Sequence, residues 1–111
     1  MKNLLWIGTS KKDLLKLPGA VKQEIGYALW MAQNEEYYEN TKPLKGLGSG
    51  VFEIISDFNK NTYRAVYIVN MGDNIYVLHV FQKKSKTGIK TPQEEIALIK
   101  QRLKFLKTQI K

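Results

Sequence analysis

The chain predicts an α+β domain in which a short strand and a helical hairpin precede a three-stranded antiparallel meander and a closing helix. Three observations carry that prediction. Val51–Phe58, Thr62–Val69 and Ile75–Lys83 are successive runs rich in Val, Ile, Tyr and Phe, and the gaps between them hold Asn, Asp and Gly, which tolerate the left-handed backbone of tight turns. Ahead of them, Val21, Ile25, Ala28, Leu29 and Ala32 recur at helical spacing. Behind them, Ile96, Ile99, Leu103, Leu106 and Ile110 do the same. At 111 residues the stretch 1–111 reads as one domain that can bury a core without disulfides or metal.

Composition narrows the chemistry. The chain has no Cys and one His, which removes thiolate ligands and a cysteine nucleophile and leaves too few imidazoles for a zinc site. No metal is expected. Eighteen Lys and Arg against ten Asp and Glu give a net charge of +8, a balance that suits a polyanionic partner as well as plain solubility. Position has to decide between them. The apolar run within Met1–Gly8 is too short for a membrane span or a secretory core, so the expected location is the cytoplasm.

Taken in order, Leu4 to Gly8 reads as a strand added to the meander, with Thr9 or Ser10 capping a brief helix over Lys11 to Leu17. Pro18 and Gly19 break that helix and start the next, which is expected to run to about Glu39. Tyr27 and Trp30 lie on its flanks; aromatics there can stack on nucleobases, but beside a sheet they read as core. Glu35, Glu36 and Glu39 crowd the negative end of the helix dipole, so fraying is expected near Tyr38. Asn40 to Gly50 reads as the one long loop. Its Gly-Leu-Gly-Ser-Gly lies between a helix and a strand, the reverse of a phosphate-binding glycine loop, so its glycines are read as allowing close backbone approach. Thr91-Pro92-Gln93-Glu94 reads as a capping box opening the last helix. With helices placed on one face of the sheet, the other face is left for function. Leu98 and Phe105 form a second apolar stripe on the last helix that could dock another protein.

Cations mark the meander. Lys45 precedes it, Arg64 lies inside its middle strand, and Lys83, Lys84 and Lys86 follow where its last strand ends, a placement that suits reading of phosphates. Arg64 shares a strand face with Val66 and Ile68, so it must pair with a carboxylate, for which Glu53 and Asp57 are candidates, or await an anionic ligand. Periodicity favours the pair. RNA cleavage would need a base for the 2′-hydroxyl, an acid for the leaving oxygen and cations for the charged phosphorane. Arg64, Lys83 and Lys84 can supply the cations. His79, Glu53, Tyr63 and Tyr67 all remain open as acid or base, although a lone His between Leu78 and Val80 also suits a satisfied core position.

The segments P-L-K-G at 43–46, F-E-I-I-S-D-F at 52–58, T-Y-R-A-V-Y at 62–67, V-L-H-V-F-Q-K-K-S-K-T at 77–87 and T-P-Q-E-E-I at 91–96 resemble a HigB-like toxin, in the phage-derived branch of the RelE/ParE superfamily. The resemblance covers nearly the whole chain. It implies a RelE/ParE-like fold and a type II toxin that enters the ribosomal decoding site and cuts mRNA through 2′-hydroxyl attack, without a cofactor. It also implies silencing by a cognate antitoxin, expected to be a helix-turn-helix protein. By the same resemblance the phosphate site falls on Arg64, Lys83 and Lys84, with Lys45 as a weaker transfer; the residues themselves add His79 to the catalytic candidates and, with Lys45, Lys86 to the RNA contacts. The pattern departs at Ile55, where many relatives carry Arg. Alternatives that share the fold are a non-hydrolytic ParE-like toxin acting on DNA gyrase and a degenerate relative that only binds its antitoxin.

Overall fold

The computed structural model describes residues 1–83 and 91–109. In chain order the elements are β1 (Asn3–Trp6), α1 (Ser10–Leu15), α2 (Gly19–Gln33), β2 (Thr41–Pro43), β3 (Val51–Phe58), β4 (Asn61–Met71), β5 (Asn74–Lys83) and α3 (Gln93–Gln109). One sheet holds all five strands in the order β1-β5-β4-β3-β2. The meander forms as its turn residues dictate: Asn59 and Lys60 both take positive φ between the paired Phe58 and Asn61, the backbone of a two-residue hairpin. Gly50 (φ +84°) brings the chain so close to β4 that a Cβ there would sit 2.6 Å from the Asn70 side-chain nitrogen, in keeping with the close-approach reading of this loop.

Several details differ from expectation. The first strand runs parallel to β5, whereas the sheet was expected to be antiparallel; an apolar run of four residues has no direction written in it, and the intervening helices carry the chain back to the same end. Within the expected long loop, Thr41–Pro43 pairs with β3 as an edge strand. α2 stops at Gln33 instead of reaching Glu39, and Glu35 takes φ 61° just beyond it, which spares three glutamates a place at the negative helix end.

The larger difference is that helices cover both faces. α2 packs Val21, Ile25, Leu29 and Ala32 on Ile54, Tyr63, Ala65 and Tyr67, while α3 packs Ile99, Leu103 and Leu106 on Val51, Val66, Ile68 and Leu78. That is why six consecutive residues of β4, Tyr63 to Ile68, are all buried. Tyr27 and Trp30, expected in the core, are each about half exposed and stack on one another at 5.9 Å, because the wide stripe of smaller α2 residues already fills the contact with the sheet.

Candidate active site

The α3 face of the sheet carries the polar chemistry. Cross-strand register places Lys42 beside Glu53 and Glu53 beside Val66, and in the next row Ile55 beside Arg64 and Arg64 beside Phe81. Pleat alternation therefore turns Glu53 and Arg64 toward one another under the start of α3. Arg64 Nη1 donates to Glu53 Oε1 at 2.8 Å, as strand parity predicts; the other candidate carboxylate, Asp57, instead accepts from Thr62 at 2.7 Å. Glu53 is fully buried and Arg64 is 3% exposed. Burying two charges is costly unless every remaining lone pair is engaged. Thr91 completes the set, its hydroxyl donating to Glu53 Oε2 at 2.7 Å and accepting from Arg64 Nη1 at 3.2 Å. The predicted capping residue thus turns its side-chain oxygen into the sheet.

Above this trio lies an open groove of about 530 Å³. Lys42, Lys45 and Lys100 line it as cations, and Pro43, Leu44, Leu47 and Ile96 give it an apolar wall. Lys83 follows Phe81 by two residues and so shares the Arg64 face at the strand's end. Its ammonium is held below the ordinary lysine range, first by partial desolvation and then by the Arg64 guanidinium, with Lys42 adding and Glu53 opposing. Three cations from β2, β4 and β5, Lys42, Arg64 and Lys83, are therefore electrostatically close. Lys42 also faces the sheet row next to Ile55, so the position that lacks a cation is flanked by others.

His79 does not join them. It lies 5% exposed beneath α3, where Nε2 meets Glu95 Oε1 at 2.8 Å, Nδ1 accepts from Arg102 at 3.3 Å, and the ring stacks on Phe81 at 4.7 Å. Both ring nitrogens have partners on α3, the placement expected of a satisfied core histidine. Tyr63 and Tyr67 lie on the opposite face among the α2 contacts, and burial pushes the Tyr67 phenol above its usual range. On that same face Tyr38 donates to Glu24 at 2.7 Å, a bond that pushes its phenol up to about 12, while Ser56 donates to the other oxygen of Glu24. Of the four acid-base candidates only Glu53 borders the groove.

Of the other expected site residues, Arg64 and Lys45 line the groove, while Lys84 and Lys86 lie outside the described residues. Lys42, Thr91 and Lys100 were not singled out as site residues from sequence. Lys42 sits on a three-residue strand too short to show alternation, and Lys100 reads as an ordinary solvated position on α3. Among the described residues no cluster of three or more His, Asp and Glu could hold a metal ion, and no helix is long and apolar enough to cross a membrane.

The family described as Phage derived protein Gp49-like matches residues 12–104. No curated protein sequence matches the chain. Among solved structures, the isolated RelE toxin of E. coli superposes with a TM-score of 0.59 at 17% identity, covering 88% of this chain and 96% of that one. The toxin-antitoxin complex RelBE2 of Mycobacterium tuberculosis gives a TM-score of 0.52 at 21% identity, over 73% of this chain and 96% of that one. The chain belongs to the Phage derived protein Gp49-like family and has the fold of the RelE-type toxins.

Proposed function

We propose that this protein is the toxin of a toxin-antitoxin pair and a ribosome-dependent, metal-independent endoribonuclease that acts on mRNA in the cytoplasm. The observation that carries this reading is the Arg64–Glu53–Thr91 trio, two of its members buried, at the floor of a groove bordered by Lys42, Lys45 and Lys100. Arg64 offers a planar fork to two phosphate oxygens, and Lys42 and Lys83 add charge where the phosphorane becomes more negative. Glu53 receives the 2′-hydroxyl proton, and the Lys83 ammonium, already acidified, can supply one to the leaving 5′-oxygen. Side chains fill every role, so the reading invokes no cofactor. Lys84, as a further cation for the phosphate, and Lys86, as an RNA contact, belong to the same proposal and lie outside the described residues.

The groove is open and its groups few, so the ribosome is needed to hold the phosphate in line with its 2′-oxygen. Expressing the protein alone is expected to arrest growth with transcript ends mapping inside translated codons, while purified protein leaves naked RNA largely intact. Arrest with gyrase trapped on DNA and no such ends favours the ParE-like alternative, to which Ile55 beside Arg64 lends some support. Rapid cleavage of free RNA would contradict dependence on the ribosome.

The antitoxin is proposed to dock on the outer side of α3, where Leu98 and Phe105 join Ile7 around a shallow apolar groove of about 380 Å³. Apolar contact would make its binding tolerant of salt, unlike charge neutralisation alone. Leu98→Asp combined with Phe105→Asp should abolish co-purification of the antitoxin at both low and high salt. Unchanged co-purification would place the antitoxin elsewhere.

A further inference from the structure

We propose that Thr91 is a proton relay, carrying the proton of the attacking 2′-hydroxyl to Glu53. This rests on the nuclease reading above and deepens it. Glu53 is the one acid-base candidate at the groove, yet it is fully buried, and both its oxygens are taken, Oε1 by Arg64 and Oε2 by Thr91. A substrate hydroxyl entering the groove has no open path to the carboxylate. Thr91 is only partly buried and lines the same groove.

The directions of the hydrogen bonds follow from the groups themselves. A guanidinium can only donate and a carboxylate can only accept, so the Thr91 hydroxyl accepts from Arg64 and gives its one proton to Glu53. A hydroxyl has two acceptor positions. Arg64 fills one, which leaves one for the 2′-hydroxyl of an RNA in the groove. The same contact from Arg64 makes the bridging oxygen harder to protonate for long, which suits a relay that passes its proton on.

The 2′-hydroxyl proton moves to Thr91 Oγ1 while the Thr91 proton moves to Glu53 Oε2, and the freed 2′-oxygen bonds to phosphorus. The bond from phosphorus to the 5′-oxygen of the next nucleotide breaks, and that oxygen takes a proton from the Lys83 ammonium. The products are a 2′,3′-cyclic phosphate and a 5′-hydroxyl; before the next turnover Glu53 gives its proton to water by way of Thr91, and Lys83 takes one up from water. Nothing outside the RNA and these side chains is consumed.

The test compares the parent protein, Thr91→Val and Thr91→Ser in single-turnover cleavage of mRNA on programmed ribosomes, in mixtures of light and heavy water. Val keeps the side chain's branching but has no proton to pass, so a loss on the order of 10² to 10³ in rate is expected, within the range for a positioned base. Ser keeps the hydroxyl and should retain most of the parent rate. Three protons move in the parent and in Thr91→Ser and one fewer in Thr91→Val, so the dependence of rate on deuterium fraction should be curved in the first two and less curved in Thr91→Val. Thermal melts establish that each variant is folded at the assay temperature. The relay is overturned if Thr91→Val cleaves at the parent rate, if Thr91→Ser falls as far as Thr91→Val, or if the parent's dependence is straight. A parent that does not cut at all sinks the nuclease reading and the relay with it, whereas a cutting parent with an undiminished Thr91→Val sinks the relay alone.

Discussion

Arg64→Lys should cut ribosome-bound mRNA on the order of 10² to 10³ more slowly than the parent while keeping most of its affinity for the ribosome. The substitution preserves the formal charge, so long-range attraction to RNA is retained. What it removes is the fork. Arg64 donates through Nη1 to both Glu53 and Thr91, and a guanidinium has further donors that an ammonium lacks for gripping two phosphate oxygens in a fixed plane. Loss of one well-placed donor at a developing charge costs about that much in rate. Lys16→Ala, just past the end of α1 between Leu14 and Leu17 of the α2-face core, removes a full charge outside the groove lining and should leave the single-turnover rate nearly unchanged, with only a weaker dependence on salt. Equal rates for Arg64→Lys and the parent would make Arg64 a purely structural residue.

The second large effect is on stability. Arg64→Met should lower the folding free energy by about 3 to 5 kcal/mol, because it strands the fully buried Glu53 carboxylate without its counter-ion. Adding Glu53→Leu should recover much of that loss, since two apolar side chains in place of a buried ion pair are often neutral or better. Thr91 is partly exposed and can turn to water when both partners are gone. The double variant is then expected to be folded and inactive, whereas a site retained for packing alone would lose nothing by the exchange. Denaturant unfolding of the parent, the two single variants and the double variant measures the coupling directly. Additive losses would mean that Glu53 and Arg64 do not depend on one another.

Much of the fold is legible because periodicity is a physical consequence of burial. The three meander strands and the stripes of α2 and α3 fall where their apolar spacing puts them, and the Arg64–Glu53 pair follows from strand parity. Other features had a signal that points two ways. Ala65-Val66-Tyr67-Ile68 is a continuous apolar run, which marks a strand covered on both faces and argues against one bare face. Thr91 before Pro92 satisfies a capping pattern, but a hydroxyl can serve a carboxylate instead when a buried one lies within reach. β2 left no signal, since three residues cannot alternate visibly and its pairing depends on β3. His79 stands out in the sequence as the sole imidazole, but its partners Glu95 and Arg102, about two turns apart on α3, are contacts that only the packing of that helix creates.

The groove over Arg64 and Glu53 is proposed to cut mRNA by internal attack of the 2′-hydroxyl. The most direct measurement is the chemistry of the new ends after a single turnover on ribosomes programmed with a defined message, using purified protein in the presence of a chelator. A 2′,3′-cyclic phosphate facing a 5′-hydroxyl, formed at one place in the codon and lost in Arg64→Lys, is the predicted result. An intact message, or ends bearing a 3′-hydroxyl and a 5′-phosphate, would contradict the account.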